Sequence, residues 1–322
     1  MGTGGRENGP SVGVVVPTYN RRQLLAATLD SLAALEPPPD EVIVVSDGGT
    51  DGSDEVVRSQ GLRLLRTCRQ GAAAARNAGW RATGAQVVAF IDDDAVADPG
   101  WLRSLTAPFG DDAVGLVQGV TRPAGPVGPL DRTIEVVRES GIYESCNIAY
   151  RRAALEAVGG FDEAFGRTIR PRAGGRAGGG GSGFGEDTDL AWRVRRAGWR
   201  SAFAEDAIVR HAVFPGTLRD VLAEEWRKGN FPFLVREIPE LRDRLPLGPW
   251  FLRRQSPWAQ LALLAPLVAA RRPLAGAALA APYAGWLARN RAPSAVALQV
   301  ARDAVASVAL LVGSVRERRL VL

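Results

Sequence analysis

This 322-residue chain is poor in the residue types that build cross-links and soft-metal sites: two cysteines, one histidine and one methionine. Two cysteines, Cys68 and Cys146, make neither a disulfide framework nor a thiolate metal site. Lys228 is the single lysine, so arginine carries nearly all of the positive charge behind the formal +5. Except towards the C-terminus, those arginines are scattered among many Ala and Gly rather than gathered in one basic stripe, which argues against a nucleic-acid partner. The first eleven residues are polar and Gly-rich with no apolar run, which argues against a cleaved secretory signal and for a cytoplasmic catalytic part. No Gly-x-Gly-x-x-Gly turn follows the first apolar strand, so a nicotinamide-binding unit is disfavoured. What remains is ordinary for a folded chain: 46% hydrophobic and 23% charged residues, enough for a large α/β domain with an appendage.

The first hundred residues alternate regularly. Residues 12–17, 41–46, 62–65 and 87–91 are short, apolar and rich in Val, Ile or Leu, and read as buried strands. Between them, 22–35, 53–60 and 71–82 have helical spacing, with Leu25, Leu29, Leu32 and Leu35 on one face of the first. This is the pattern of a parallel sheet covered on both faces, whose ligands bind beyond the carboxyl ends of its strands. Thr18, Tyr19, Asp47 and Asp92-Asp93-Asp94 all fall at such ends. Further on, 114–120, 146–150, 201–204 and 208–211 are strand-like, while 151–158 and 187–197 are helical. Residues 166–185 are dense in glycine with few apolar groups, and are expected to form a mobile loop.

Three adjacent carboxylates at a strand end repel one another unless a cation or hydrogen-bond donors compensate them. Mg2+ and Mn2+ favour a few carboxylates completed by substrate phosphates, which suits Asp92-Asp93-Asp94; a solvated acidic turn would explain an isolated triplet equally well, but its place after the fourth strand of an α/β sheet favours function. Asp47 ends the second strand, where a carboxylate can accept from a nucleobase or ribose, or simply open an Asp-Gly turn. Glu186 and Asp187 open a helix, where acidic residues are favoured by the helix dipole anyway; alternatively one of them is a general base. His211, the one histidine, follows a strand and can join carboxylates around Mg2+ or Mn2+. Arg76 can pair with a diphosphate or hold an acidic strand end.

In this order the motifs resemble family 2 glycosyltransferases of the GT-A fold. The resemblance rests on Val14-Val-Val-Pro17-Thr18-Tyr19-Asn20-Arg21, Ser46-Asp47-Gly-Gly-Thr-Asp51, Ala75-Arg76-Asn77, Asp92-Asp93-Asp94, Cys146-Asn147, Gly159-Gly160-Phe161-Asp162, Glu186-Asp187 and His211. It implies an α/β, Rossmann-like, mostly parallel sheet with helices on both faces. It also implies inverting transfer of a sugar from a nucleotide-diphosphate donor, UDP first among the bases. Asp47, Pro17, Thr18, Tyr19, Arg21, Arg76, Asp92 and Asp93 would hold the nucleotide. Asp94 and His211 would hold Mg2+ or Mn2+, and Asp187 would be the catalytic base. Asn147, Asp162 and Glu186 would lie towards sugar and acceptor. Competing readings are a nucleotidyltransferase on a similar crevice and a non-catalytic membrane-associated homologue.

The expected organisation is a flexible stretch over 1–11, a catalytic domain over 12–235 and a helical region over 236–322. Apolar segments over 258–270 and 274–288 are shorter than a simple bilayer-spanning helix requires. A third, over 295–315, repeats apolar residues at heptad spacing (Leu298, Val305, Val312; Ala301, Val308, Val315), with Arg302 and Asp303 on its other side. Arginines flank all three. The pattern suggests peripheral association with the inner face of the plasma membrane and a glycan or lipid-linked acceptor of the cell envelope.

Overall fold

The computed structural model describes residues 9–165, 184–247 and 250–322. The expected flexible start and the Gly-rich loop therefore lie largely outside the described residues. The chain divides into two compact units, Met1–Val127 with Thr133–Phe214, and Gly128–Arg132 with Pro215–Leu322.

The first unit runs β1 (Val12–Thr18), α1 (Arg22–Ala33), β2 (Glu41–Asp47), α2 (Ser53–Ser59), β3 (Arg63–Thr67), α3 (Ala72–Ala82) and β4 (Val87–Ile91). It continues with β5 (Ala95–Ala97), α4 (Trp101–Thr106), β6 (Val114–Pro123), β7 (Asn147–Arg151), α5 (Arg152–Val158), α6 (Glu186–Arg196) and β8 (Arg200–His211). One eight-stranded sheet has the order β3-β2-β1-β4-β7-β6-β8-β5. Its first half is parallel throughout. β7 then runs antiparallel to both β4 and β6, and β8 returns parallel to β6. All residues of β1 and β4 are buried, as strands covered on both faces must be. Helix α1 buries Leu25, Leu29 and Leu32; each fully buried leucine contributes about 1.5–3 kcal/mol of transfer free energy. Helix α3 lies close on the sheet because Gly79 has no side chain: a Cβ there would run into Val15 and stand 3.2 Å from Val45.

Two elements differ from expectation. The strands anticipated at 201–204 and 208–211 are one, β8, because Glu205 and Asp206 point to solvent at a pairing irregularity between Gly119 and Val120. The charges interrupt the apolar pattern without ending the strand. The three-residue β5 is too short to show periodicity, yet its pairing of Ala95 with His211 places the end of β8 beside the acidic triplet.

The second unit is helical: α7 (Leu218–Arg227), α8 (Phe231–Glu237), α9 (Ser256–Ala269), α10 (Pro273–Asn290) and α11 (Pro293–Glu317). Helices α7 and α8 were not legible as elements. The former begins at a capping box between Thr217 and Asp220. Glu225 of α7, 1% exposed, takes hydrogen bonds from Arg253 (3.1 Å) and Arg302 (3.0 Å) and pairs with Lys228. Asp303 of α11 is also buried, accepting from Tyr283 (2.7 Å) and Gln299 (2.9 Å). Helix α11 thus turns the side opposite its apolar heptad inward. Gln299, Asp303 and Ser314 face inward, while Val308, Val312 and Val315 are exposed. The buried carboxylate needs its partners more than the valines need burial.

Candidate active site

The carboxyl ends of β1, β2 and β4 converge as expected for an open α/β sheet. At β4, each aspartate of the triplet has its own partner. Asp92 accepts from Arg76 of α3 at 2.6 Å. Asp93 accepts from Thr18 Oγ1 at 2.7 Å and from Arg21 at 3.0 Å. Asp94 pairs with the same Arg21 guanidinium. Burial pushes the Asp93 carboxyl up to about 6, reinforced by Asp94 and Asp92 and opposed by Arg21 and Thr18. Burial also raises Asp94; Asp92 adds to this, and His211 and Arg21 oppose it.

His211 reaches the triplet through sheet pairing. The backbone N–H of Ala212 donates to the Asp94 carbonyl at 2.8 Å, and His211 Nε2 stands 3.3 Å from Asp94 Oδ1. On the far side of the ring, Nδ1 lies 2.9 Å from the Ala212 carbonyl and 3.3 Å from Thr133 Oγ1. A carbonyl only accepts, so this contact places the proton on Nδ1 and leaves Nε2 with a lone pair in the neutral ring. Asp94 Oδ1 is buried and has no hydrogen-bond donor. When the ring is neutral, two lone-pair donors therefore face each other, with the outer ring nitrogen bonded to a backbone carbonyl as in metal-ligating histidines. Among the described residues no group of three or more His, Cys, Asp or Glu is arranged to hold an ion unaided. The pair suits Mg2+ or Mn2+ completed by phosphate and water.

Asp47 ends β2, 5% exposed, and its carboxylate is largely used within the chain. Oδ1 accepts from Thr67 Oγ1 (2.6 Å) and the Gln70 N–H (2.8 Å), and Oδ2 from the Gly71 N–H (2.7 Å). A carboxylate offers about four acceptor positions, so about one is left on Oδ2. Tyr19 follows β1, with the Arg69 guanidinium 4.7 Å from its ring centroid. Pro17 is a buried β1 residue paired with Val45.

Asp187 lies in the first turn of α6. Its Oδ1 takes the Thr188 N–H at 2.8 Å, and Oδ2 the Ser145 N–H at 3.3 Å. Ser145 just precedes β7, whose first residue pairs with Ile91 at the end of β4; antiparallel pairing thus brings the base candidate to the triplet's side. Burial pushes the Asp187 carboxyl up to about 7, with Glu186 and Glu144 adding and the Thr188 N–H and Arg76 opposing. Arg76 is the common neighbour. It is 5% exposed, bonds Asp92, lies 5.8 Å from the Phe161 ring centroid, and feels the charges of Glu186 and Asp187. Burial alone would lower its pKa, but these carboxylates outweigh burial and raise it. Its Nε has no partner.

Two candidates are not brought to this cluster. Asn147 was expected towards sugar and acceptor, but its amide is consumed inside the fold. Nδ2 donates to the carbonyls of Val120 and Ala207, both at 2.8 Å, and Oδ1 accepts from Trp101 Nε1 at 2.8 Å. Asp162 is exposed and caps a turn through the Ala164 N–H at 2.8 Å. The Gly-Gly-Phe-Asp stretch acts through its backbone and ring. Asn77 holds the Phe161 N–H and carbonyl, and a Cβ on Gly160 would stand 2.6 Å from Asn77 Oδ1. Glu144 and Thr133 escaped sequence reasoning, because each sits in irregular chain with no motif around it. Glu144 is held up by burial, against a 3.0 Å bond from Gln118.

With this geometry in place, residues 13–161 match the family described as glycosyl transferase family 2. A pre-mycofactocin glycosyltransferase of Mycobacterium tuberculosis is 32% identical over 227 residues, covering 63% of this chain and 44% of the relative. The chain thus spans less than half of that relative's length. Glycosyltransferase AglE of Haloferax volcanii is 25% identical over 263 residues, covering 76% of this chain and 80% of the relative. In fold, the chain is similar to the mannosyltransferase PcManGT from Pyrobaculum calidifontis, solved with GDP-Man and Mn2+. The TM-score is 0.67 at 23% identity, covering 97% of this chain and 88% of that one.

Proposed function

Since residues 13–161 match glycosyl transferase family 2, we propose that this chain belongs to that family and transfers a sugar from a nucleotide-diphosphate donor to an acceptor hydroxyl, in one in-line displacement that inverts the anomeric carbon. The observation that carries this reading is the pair of facing lone-pair donors, Asp94 Oδ1 and His211 Nε2, set apart from a carboxyl tuned towards neutrality at Asp187. A divalent ion held by Asp94 and His211 would stabilise the charge developing on the departing diphosphate.

The chain's own residues do the rest. Asp47 offers its remaining acceptor position to the base or ribose, beside Thr18 and Tyr19. Arg21 and Arg76 hold the acidic triplet in register and contribute positive charge where the diphosphate binds. Asp187, as carboxylate, takes the proton of the acceptor hydroxyl as that oxygen attacks the anomeric carbon. Glu186, beside it at the start of α6, borders the acceptor side. A pKa near 7 suits a base that must be both deprotonated and strong enough at neutral pH.

The donor is a UDP-sugar in this reading, with GDP and dTDP as the alternatives to be separated. The acceptor is a glycan or lipid-linked glycan of the cell envelope, reached at the cytoplasmic face of the plasma membrane. Thermal-shift screening of UDP, GDP and dTDP, each with and without Mn2+, tests the donor site. Stabilisation by one nucleotide that requires Mn2+ is expected; no Mn2+-dependent shift with any of the three would overturn the reading.

A further inference from the structure

From residue 244 to residue 302 the chain has eight arginines and no Asp or Glu. Within this stretch lie α9, α10 and the first half of α11. Arg254, Arg271, Arg272 and Arg289 are exposed and make no ion pair among the described residues. Large apolar side chains stand beside them. Leu267 near the end of α9 is 75% exposed, and Leu274 at the start of α10 is 86% exposed, on either side of the Arg271-Arg272 turn. The two helices pack through small residues: a Cβ on Gly276 would meet the Ala265 carbonyl at 2.9 Å. Leu287 of α10 is buried against Ala259, whereas Leu261, Leu263, Leu264, Leu267 and Leu274 are left exposed. Helix α11 likewise buries Asp303 and exposes Val308, Val312 and Val315.

A soluble surface seldom combines so many exposed leucine and valine side chains with charge of one sign. A bilayer surface with anionic headgroups satisfies both features. Acyl chains take the apolar side chains, and lipid phosphates take the guanidinium groups. Helices α9 and α10, with 14 and 18 residues, are about 21 and 27 Å long at 1.5 Å per residue. Neither reaches across a hydrocarbon core of about 30 Å. The longer α11 is tied by Arg302 and Asp303 to the buried network around Glu225, Arg253 and Tyr283. This arrangement fits helices lying on one leaflet.

We infer that the α9–α10 hairpin seats the protein on an anionic lipid surface, with Leu267 and Leu274 entering the acyl region and Arg271 and Arg272 binding lipid phosphates. The inference deepens the membrane location proposed above and is independent of the transfer chemistry. It is tested by co-sedimentation of the full chain with phosphatidylcholine vesicles, with and without phosphatidylglycerol, at about 0.1 M salt, where screening is moderate. Binding is expected only with the anionic lipid. R271Q/R272Q is expected to weaken it by about twenty-five-fold, each basic residue near such a surface contributing about fivefold. L267E/L274E is expected to abolish binding while leaving the melting temperature and donor hydrolysis unchanged.

Equal binding to both vesicle types, or binding insensitive to both variants, overturns the inference. A dimer in light scattering that L267E/L274E dissociates, with no vesicle binding by the parent, assigns the face to a second copy instead. Donor hydrolysis without vesicle binding sinks the anchor alone. Vesicle binding without nucleotide-dependent chemistry sinks the transfer reading alone.

Discussion

Asp94 Oδ1 and His211 Nε2 lie 3.3 Å apart, and the ring's other nitrogen is committed to the Ala212 carbonyl. Residues 117 positions apart in the chain thus present two lone pairs to one point, an arrangement that favours a cation there. His211→Ala removes one of the two donors and leaves Asp94 paired with Arg21. The apparent Mn2+ affinity is expected to fall at least about tenfold, since even indirect supports of a metal ligand are worth that much. Mn2+ titration of turnover measures it, and an unchanged midpoint would exclude His211 as a ligand.

Asp187→Asn retains the shape of the side chain but cannot accept the acceptor proton. Turnover should fall by roughly 10²–10⁴-fold, while nucleotide binding followed by calorimetry stays within about twofold, an effect near 0.4 kcal/mol. Near-normal turnover in this variant would remove Asp187 from the mechanism.

The same carboxyl sets a pH dependence. As the proposed base, Asp187 would act only when deprotonated, and burial beside Glu186 and Glu144 pushes its pKa up to about 7. The logarithm of turnover should rise with a slope of about one up to that value and then level off. Stability moves the other way. The folded pKa lies above the unfolded value of about 3.9, so the folded state binds more protons between those values and loses stability as pH rises through the window. Asp187→Asn removes this loss, so the difference in melting temperature between variant and parent should open in the variant's favour from pH 4 to pH 8. A pH-independent difference would mean that the carboxyl is not perturbed by folding.

Arg76→Gln deletes the cation that pairs with Asp92 and feels the charges of Glu186 and Asp187. Breaking a buried ion pair from one side costs about 3–5 kcal/mol, measurable by denaturant unfolding. Arg76 also opposes the rise of the Asp187 pKa, so the rising limb of the pH–rate profile should move to higher pH. A merely structural role would lower stability without moving that limb.

Asn147→Ala should behave differently from all of these. It orphans two backbone carbonyls and the Trp101 indole N–H, each at a cost of about 1–3 kcal/mol. The melting temperature should drop steeply, while KM for the donor in the folded fraction is unchanged. A changed donor KM at unchanged stability would return Asn147 to the binding site.

Much of the first unit was legible because both faces of its parallel sheet are covered. Strands such as Val12–Thr18 then become unbroken apolar runs that punctuation delimits cleanly. Asp47 and the Asp92–Asp94 triplet could be placed at strand ends for the same reason. Glu205 and Asp206 hid the continuity of β8, since two exposed charges at a bulge look like the end of a strand. In the second unit the apolar heptad of α11 was legible, but its direction was not. Periodicity reports that a helix has two faces, while the buried Glu225 and Asp303, with their arginine and tyrosine partners, decided which face turned inward.

By itself, the sequence determined the alternation of strands and helices, the strand-end position of the acidic groups and the order of the family's motifs. All of these depend on local periodicity and turn chemistry. Tertiary structure alone decided that Asp94 meets His211, that Arg76 pairs with Asp92 and feels the charges of Glu186 and Asp187, and that Asn147 belongs to the core. Those outcomes depend on pairings across long chain separations: β5 with β8, β4 with β7, and α3 with the Gly160-Phe161 turn. Each is fixed by which buried polar atom finds a partner, a property of the packed chain that no local spacing encodes.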